Sequence, residues 1–179
     1  MLTKTAFLFG LVFLLVACAL AQQSWPAARA QDVASVNAII AASYAAISHP
    51  AGKAADLSRF QSLFRPGAQL ISVSSQDGKP LLRAGSIEQI TSMLHSTQHP
   101  ERAHFERELA RRTERYGDVA HVWSTYISAD GKTDPRHGLR GINSISLVND
   151  GKRWWIVSAQ WQNETANQPI PPKYLPLQK

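Results

Sequence analysis

The sequence predicts an α+β domain, and three stretches carry the prediction. Residues 32 to 64 hold apolar side chains at helical spacing. Ser86-Ile87-Glu88-Gln89 announces a further capped helix. From Arg102 onward the chain reads as long strands joined by Gly117-Asp118 and by Asn149-Asp150-Gly151. Helices gathered ahead of a run of antiparallel strands pack together on one face of a sheet. At 179 residues the chain has room for one ordinary domain.

The elements follow in order. Asp32 is placed to cap a first helix, in which Val33, Val36, Ile40, Tyr44 and Ile47 form one apolar stripe. It ends near His49-Pro50, because the residue before a proline is pushed out of the helical region. A second helix spans roughly Ala54 to Phe64, with Leu57, Phe60, Leu63 and Phe64 on one side, and Arg65-Pro66-Gly67 stops it. Ala68 to Ser75 reads as a strand, Gln76-Asp77-Gly78-Lys79 as a turn, and Leu81 to Ala84 as the returning strand. In the capping box the Ser86 hydroxyl and the Gln89 side chain satisfy each other's backbone donors. The third helix runs to about Ser96 with Ile87, Ile90 and Leu94 inward.

Arg102 to Tyr116 and Val119 to Ala129 form a hairpin in which Tyr116 meets Val119. That register sets Arg111 opposite Ser124, Leu109 opposite Tyr126 and Arg107 opposite Ser128, with Glu114 facing His121 and Arg112 facing Trp123. After a turn-rich loop over residues 130 to 139 come Arg140 to Val148 and Arg153 to Trp161. With Asp150-Gly151 as the loop pair, Leu147 meets Trp154, Ile145 meets Ile156, Asn143 meets Ser158 and Gly141 meets Gln160. One end of that face is apolar and the other polar, as in the wall of a pocket with a wet mouth. The Pro-rich segment from Gln168 reads as extended chain that Tyr174 and Leu175 dock on the domain.

Lys4 precedes an apolar run from Ala6 to Ala21, shorter than a membrane span. This is the pattern of a secretory signal over residues 1–21, with residues 22–30 as a linker, 31–165 as the domain and 166–179 as a tail. Two processing readings stay open. Ala19-Leu20-Ala21 suits ordinary cleavage, and Leu15-Val16-Ala17-Cys18 suits lipidation of Cys18. The expected location is therefore periplasmic or secreted, with membrane attachment only through the signal or a lipidated Cys18. Cys18 is the only cysteine, so the domain holds together without a disulfide and lacks a thiol nucleophile.

The net charge is +6, but its densest cluster, Arg107, Arg111, Arg112 and Arg115, alternates with Glu106, Glu108 and Glu114. That reads as a solvated, salt-bridged strand, and no nucleic-acid partner is expected. His95 and His99 have helical i,i+4 spacing and His104 follows. With no acid between them and Pro100 directly after, they do not make a metal site. No nucleotide, phosphate-loop or nucleophile-elbow motif is present, and no cofactor is expected. His121 opposite Glu114 suits either acid–base chemistry or an ordinary cross-strand pair.

The long first helix, LFRPGAQL, the capped third helix, GDVAHVW and DGKRWWIVSAQW together resemble the nuclear transport factor 2-like, or SnoaL-like, superfamily over about residues 31 to 165. The likeness is to exported bacterial members in particular. It implies a cone: three helices wrapped by a strongly curved, mostly antiparallel sheet, with a cavity at the mouth. Members include ketosteroid isomerase-like enzymes, cyclases, dehydratases, epoxide hydrolases and non-enzymatic binding modules, so the fold does not name an activity. Where the isomerase-like members carry a carboxylate base, this chain has Ser72. Unassisted, a serine hydroxyl does not shuttle protons. Tyr44 matches either an oxyanion-stabilising tyrosine or a core residue.

Taking the face with Phe105, Leu109, Val122 and Tyr126 as concave, the expected cavity residues are Tyr44, Arg107, Tyr126, Asn143, Ser158 and Gln160, with Arg140 and Trp161 at the rim. The opposite choice would present Trp123, His121, Arg112 and Glu108. Three functions stay open: binding of a small organic ligand without catalysis, a SnoaL-like lyase, isomerase or hydrolase using His121 or Arg107, and a module that dimerises through a convex sheet face containing Trp123.

Overall fold

Ser35, not Asp32, opens the first helix. Its hydroxyl accepts the Ala38 N–H at 3.1 Å, and α1 runs Val36–Ile47. Asp32 sits in a preceding 3-10 turn and is buried in a two-pronged ion pair with Arg59, at 2.7 and 2.9 Å. A buried carboxylate with a two-pronged guanidinium partner is worth more there than as a cap, which explains the displaced helix start. The computed structural model describes residues 24–76, 78–130 and 138–176. The signal segment, Cys18, Asp77 and most of the loop after Ala129 lie outside the described residues.

Asp56 caps a short α2, Leu57–Ser62, and the chain passes directly into β1, Phe64–Gln76. Arg65-Pro66-Gly67 is thus an irregular start to a strand rather than a helix stop. Gly67 takes a positive φ of 76°, and the β1–β6 register shifts between Phe64 and Gln69. β2, Lys79–Ser86, returns antiparallel. The capping box forms as expected: Gln89 Oε1 accepts the Ser86 N–H at 2.9 Å and Ser86 Oγ accepts the Gln89 N–H at 3.4 Å, opening α3, Ile87–Thr97.

β3, Phe105–Tyr116, and β4, Val119–Ala129, pair through Tyr116 and Val119. β5, Leu139–Asn149, and β6, Trp154–Asn163, complete a six-stranded sheet in the order β2-β1-β6-β5-β4-β3. The sheet is mixed: β1 and β6 run parallel and the remaining neighbours antiparallel. α1 packs on β3 and β6, and α3 on β1 and β2. Between helices and sheet lies a core that includes Ile39, Ile40, Leu63, Phe64, Ile87, Val122, Leu147 and Ile156. Trp25 joins it from the expected linker, and its indole N–H donates to the Phe64 carbonyl at 3.1 Å.

The last hairpin differs from expectation. Asp150 and Gly151 are not the whole loop: Asn149 pairs with Trp154 across four residues. The Asp150 carboxylate accepts from the Trp155 indole at 2.8 Å and from the Lys152 and Arg153 amides at 2.9 Å each. Those donors make the longer loop the better-satisfied one. A bulge at Val157 follows, because Ser146 faces Ser158 while Leu147 faces Ile156.

The C-terminal segment docks as expected, on the sheet face away from the helices. Thr125 Oγ donates to the Tyr174 carbonyl at 2.6 Å, and the Tyr174 ring lies 5.4 Å from that of Trp123. It is a 3-10 turn over Pro172–Tyr174 rather than a continuous polyproline run. The face assigned to self-association therefore carries the chain's own tail over Trp123.

Candidate functional site

A bulge in β3 decides which side chains meet the cavity. Glu108 pairs with Tyr126 but Ala110 pairs with Thr125, which leaves Leu109 as an extra, unpaired residue. A period-2 strand with one residue inserted exchanges its faces beyond the insertion. Arg111, Arg112 and Glu114 keep their expected partners on the hairpin side of the bulge. On the far side Arg107 and Phe105 turn outward and Glu106 and Glu108 turn inward. Arg107 is exposed, on an open cleft also lined by Ala41 and Ala45 of α1 and by Ser48, and Phe105 is 44% exposed.

Glu106 thereby enters a cavity of about 690 Å³ between the helices and the sheet. Its wall is largely apolar: Leu57, Phe60, Phe64, Leu70, Ile90, Leu94, Ile145, Ile156, Ala159 and Trp161. A volume of this size with a largely apolar wall suits a small organic molecule. Burial pushes the Glu106 carboxyl up to about 7, since the anion loses its hydration there. His104 Nε2 lies 3.8 Å from that carboxyl. His104 is itself held below its usual value, first by burial and then by His49, whose ring lies 6.3 Å away. The two histidines are brought together by a backbone bridge, with the His49 N–H on the His104 carbonyl at 2.6 Å and the return bond at 2.9 Å. Arg83, His99, Arg102 and Asp130 line the more exposed parts of the wall.

Both cavity tyrosines have their protons engaged. Ser124 donates to Glu108, so the Tyr44 hydroxyl donates to Ser124 at 2.7 Å and accepts from Asn143 Nδ2 at 3.0 Å. Glu108 is held in turn by Arg111, which also donates to Asn37 of α1 at 2.6 Å. Tyr126 donates to Asn163 Oδ1 at 2.6 Å. Burial raises both phenols, so neither ionises near neutrality. Tyr126 lies across Gly141, its ladder partner, where any Cβ would collide with the phenol and with the Gln162 carbonyl. Gly141 is therefore a clearance for the Tyr126 ring.

Of the residues expected at the site, Tyr44, Tyr126, Asn143 and Trp161 line the cavity and Ser72 lies in the same wall. Arg107, Arg140, Ser158 and Gln160 do not. Arg107 was carried out by the Leu109 bulge, and the longer loop and Val157 bulge moved Asn143 opposite Trp161 rather than Ser158. Arg140 pairs with Glu164 at 2.7 Å, and Glu164 accepts the Ile170 N–H at 2.9 Å, so it anchors the tail. His121 faces the outer side, bonded to Ser144 at 2.9 Å and edge-on to Trp123. The residues not anticipated are Glu106, His49, His104 and Gln98. In the sequence Glu106 looks like one more charge on a solvated strand, and no residue near Leu109 advertises the bulge. Among the described residues no three His, Cys, Asp or Glu side chains are grouped to hold a metal ion.

Neither a protein-family model nor a curated protein matches the sequence. Solved structures do. A candidate ketosteroid isomerase from Parabacteroides distasonis superposes with a TM-score of 0.51 at 13% identity, over 73% of this chain and 88% of that one. A nuclear transport factor 2-like protein of unknown function from Silicibacter pomeroyi gives 0.48 at 18% identity, over 73% and 94%. Another from Shewanella baltica gives 0.45 at 21% identity, over 64% and 83%. At these identities the likeness is one of fold. The chain has the nuclear transport factor 2-like fold expected from its sequence, built as three helices on a six-stranded mixed sheet.

Proposed function

We propose that this is an exported domain that holds a small, mostly apolar organic molecule in the cone-shaped cavity between helices and sheet. The observation that carries the reading is the cavity itself: about 690 Å³, walled by Leu57, Phe60, Ile90, Ile145, Ile156 and Trp161, with one buried carboxyl, Glu106. A core packed for stability alone would close such a space, since unfilled volume costs contacts on every side. Export is supported by the apolar N-terminal run after Lys4.

The test is a thermal-shift screen of small apolar compounds against the protein and against Ala159→Trp, which places an indole in the cavity. A true occupant at one hundred times its Kd adds about 2.7 kcal/mol to the native protein. The expected result is stabilisation of the unaltered protein and none of a folded Ala159→Trp. Equal stabilisation of both would move binding away from the cavity.

One observation favours a second reading, a SnoaL-like proton-transfer enzyme. A carboxyl titrating at about 7 beside a neutral imidazole is suited to give and take protons near neutral pH. The acid expected at Ser72 would in that case be supplied from β3. The two readings part on Glu106→Gln: an enzyme loses turnover while retaining substrate, whereas a carrier changes only in affinity.

A further inference from the structure

The hydrogen-bonding groups of the cavity are unevenly matched. The Tyr44, Ser124 and Tyr126 hydroxyl protons are all engaged by the protein, on Ser124, Glu108 and Asn163. Asn143 directs one amide N–H to Tyr44. Acceptors, in contrast, are left over. Gln98 Oε1, at the end of α3, is buried with no hydrogen-bond partner among the described residues. It lines the same cavity as Glu106, a largely buried carboxyl that has His104 Nε2 at 3.8 Å, beyond hydrogen-bond reach. A buried acceptor without a donor costs about 1–3 kcal/mol, more when it is charged, so an occupant that supplies donors removes a standing penalty.

We infer that the occupant carries a hydrogen-bond-donating head group, an amine or a hydroxyl, on an apolar body, and that Glu106 and Gln98 receive that head. This rests on the binding reading above and names the ligand's chemistry. At pH 8 a ketone or other acceptor head finds less to meet: the tyrosine protons are engaged, the ionised Glu106 carboxylate repels it, and the guanidinium donors, Arg83 and Arg102, are exposed. A carboxylate head would meet Glu106 as a like charge, and the positive groups available to it, Arg83 and Arg102, are exposed. Exposed charges act through screening solvent, whereas the buried carboxyl does not. The charged and titratable groups around Glu106 are His49 and His104 on one side, Tyr44 and Tyr126 within the cavity, Glu108 further along β3, and Arg83, His99, Arg102 and Asp130 in the cavity wall. The amine and hydroxyl heads share the donor chemistry and differ in charge, so they form separate arms of the test.

The experiment compares four probes on one hydrocarbon frame by calorimetric titration at pH 8: aminoadamantane, adamantanol, adamantanone and adamantane carboxylate. A hydrogen bond to a charged group is worth roughly tenfold or more in affinity. The amine or the alcohol is expected to bind at least about tenfold tighter than the ketone and the carboxylate. Gln98→Leu is expected to cut that advantage, and Glu106→Gln, which offers an amide N–H, to let the ketone gain on the amine. A ketone as tight as the donor-headed probes, or a carboxylate tighter than both, overturns the inference while leaving the binding reading intact. Heat from none of the four overturns both.

Discussion

Arg59→Ala is expected to cost about 3–5 kcal/mol of stability at pH 7, because it leaves the buried Asp32 carboxylate without its partner. The pair is two-pronged, and it fastens the turn before α1 to α2. Asp32 is held below its ordinary 3.8 chiefly by the Arg59 hydrogen bonds, with burial opposing them. A carboxyl depressed in the native state contributes stability that is present above its unfolded pKa and lost as pH falls through the folded one. The gap between the protein and Arg59→Ala should therefore be full at pH 7 and shrink below about pH 4. Urea unfolding at both pH values measures it. A loss under about 1 kcal/mol at pH 7 would mean that the pair behaves as a surface ion pair.

Glu106→Gln is expected to do the opposite and stabilise the protein, increasingly as pH rises from about 4.5 to about 7. The Glu106 carboxyl is raised from 4.5 to about 7 in the native state by burial. Between those values the native protein keeps a proton that the unfolded chain has lost, so stability falls as pH rises through the interval. Above it the penalty is complete. A difference of this size corresponds to roughly 3 kcal/mol at the known conversion per pKa unit. Glutamine keeps the shape and removes the charge, so the variant should match the protein near pH 4 and exceed it by roughly that amount near pH 8. A constant difference across the range would mean that Glu106 titrates as an ordinary exposed acid.

These two carboxylates mark what could and could not be read along the chain. The helices, the Ser86 capping box, the Gly117-Asp118 turn and β4 follow from local patterns, and local patterns are written in consecutive residues. The inward face of β4, with Val122 and Tyr126, follows from alternation alone. The site does not. It depends on Leu109 and Val157, where one extra residue in a strand exchanges the faces of what lies beyond it. Neither position is a glycine, and an apolar residue at a bulge looks like any other strand residue. Arg107 and Glu106 change places for that reason, so the charge that enters the cavity from β3 is a carboxyl and not a guanidinium. Asp32 resembled a helix cap because its true partner, Arg59, lies 27 positions away. Ser72 remains in the cavity wall, and the carboxyl that enters the cavity, Glu106, stands on β3 instead.

The central claim is that Glu106 is a buried cavity carboxyl that meets the ligand's head group. Carbon-detected NMR of the Glu106 side-chain carboxyl, titrated with and without saturating aminoadamantane, tests it most directly. A midpoint of about 7 is expected in the free protein. On binding the amine, that midpoint should fall by at least about one unit, because a cation beside the carboxylate favours its charged form. A free midpoint near the ordinary 4.5, or a midpoint near 7 that does not move when the amine is bound, would contradict it.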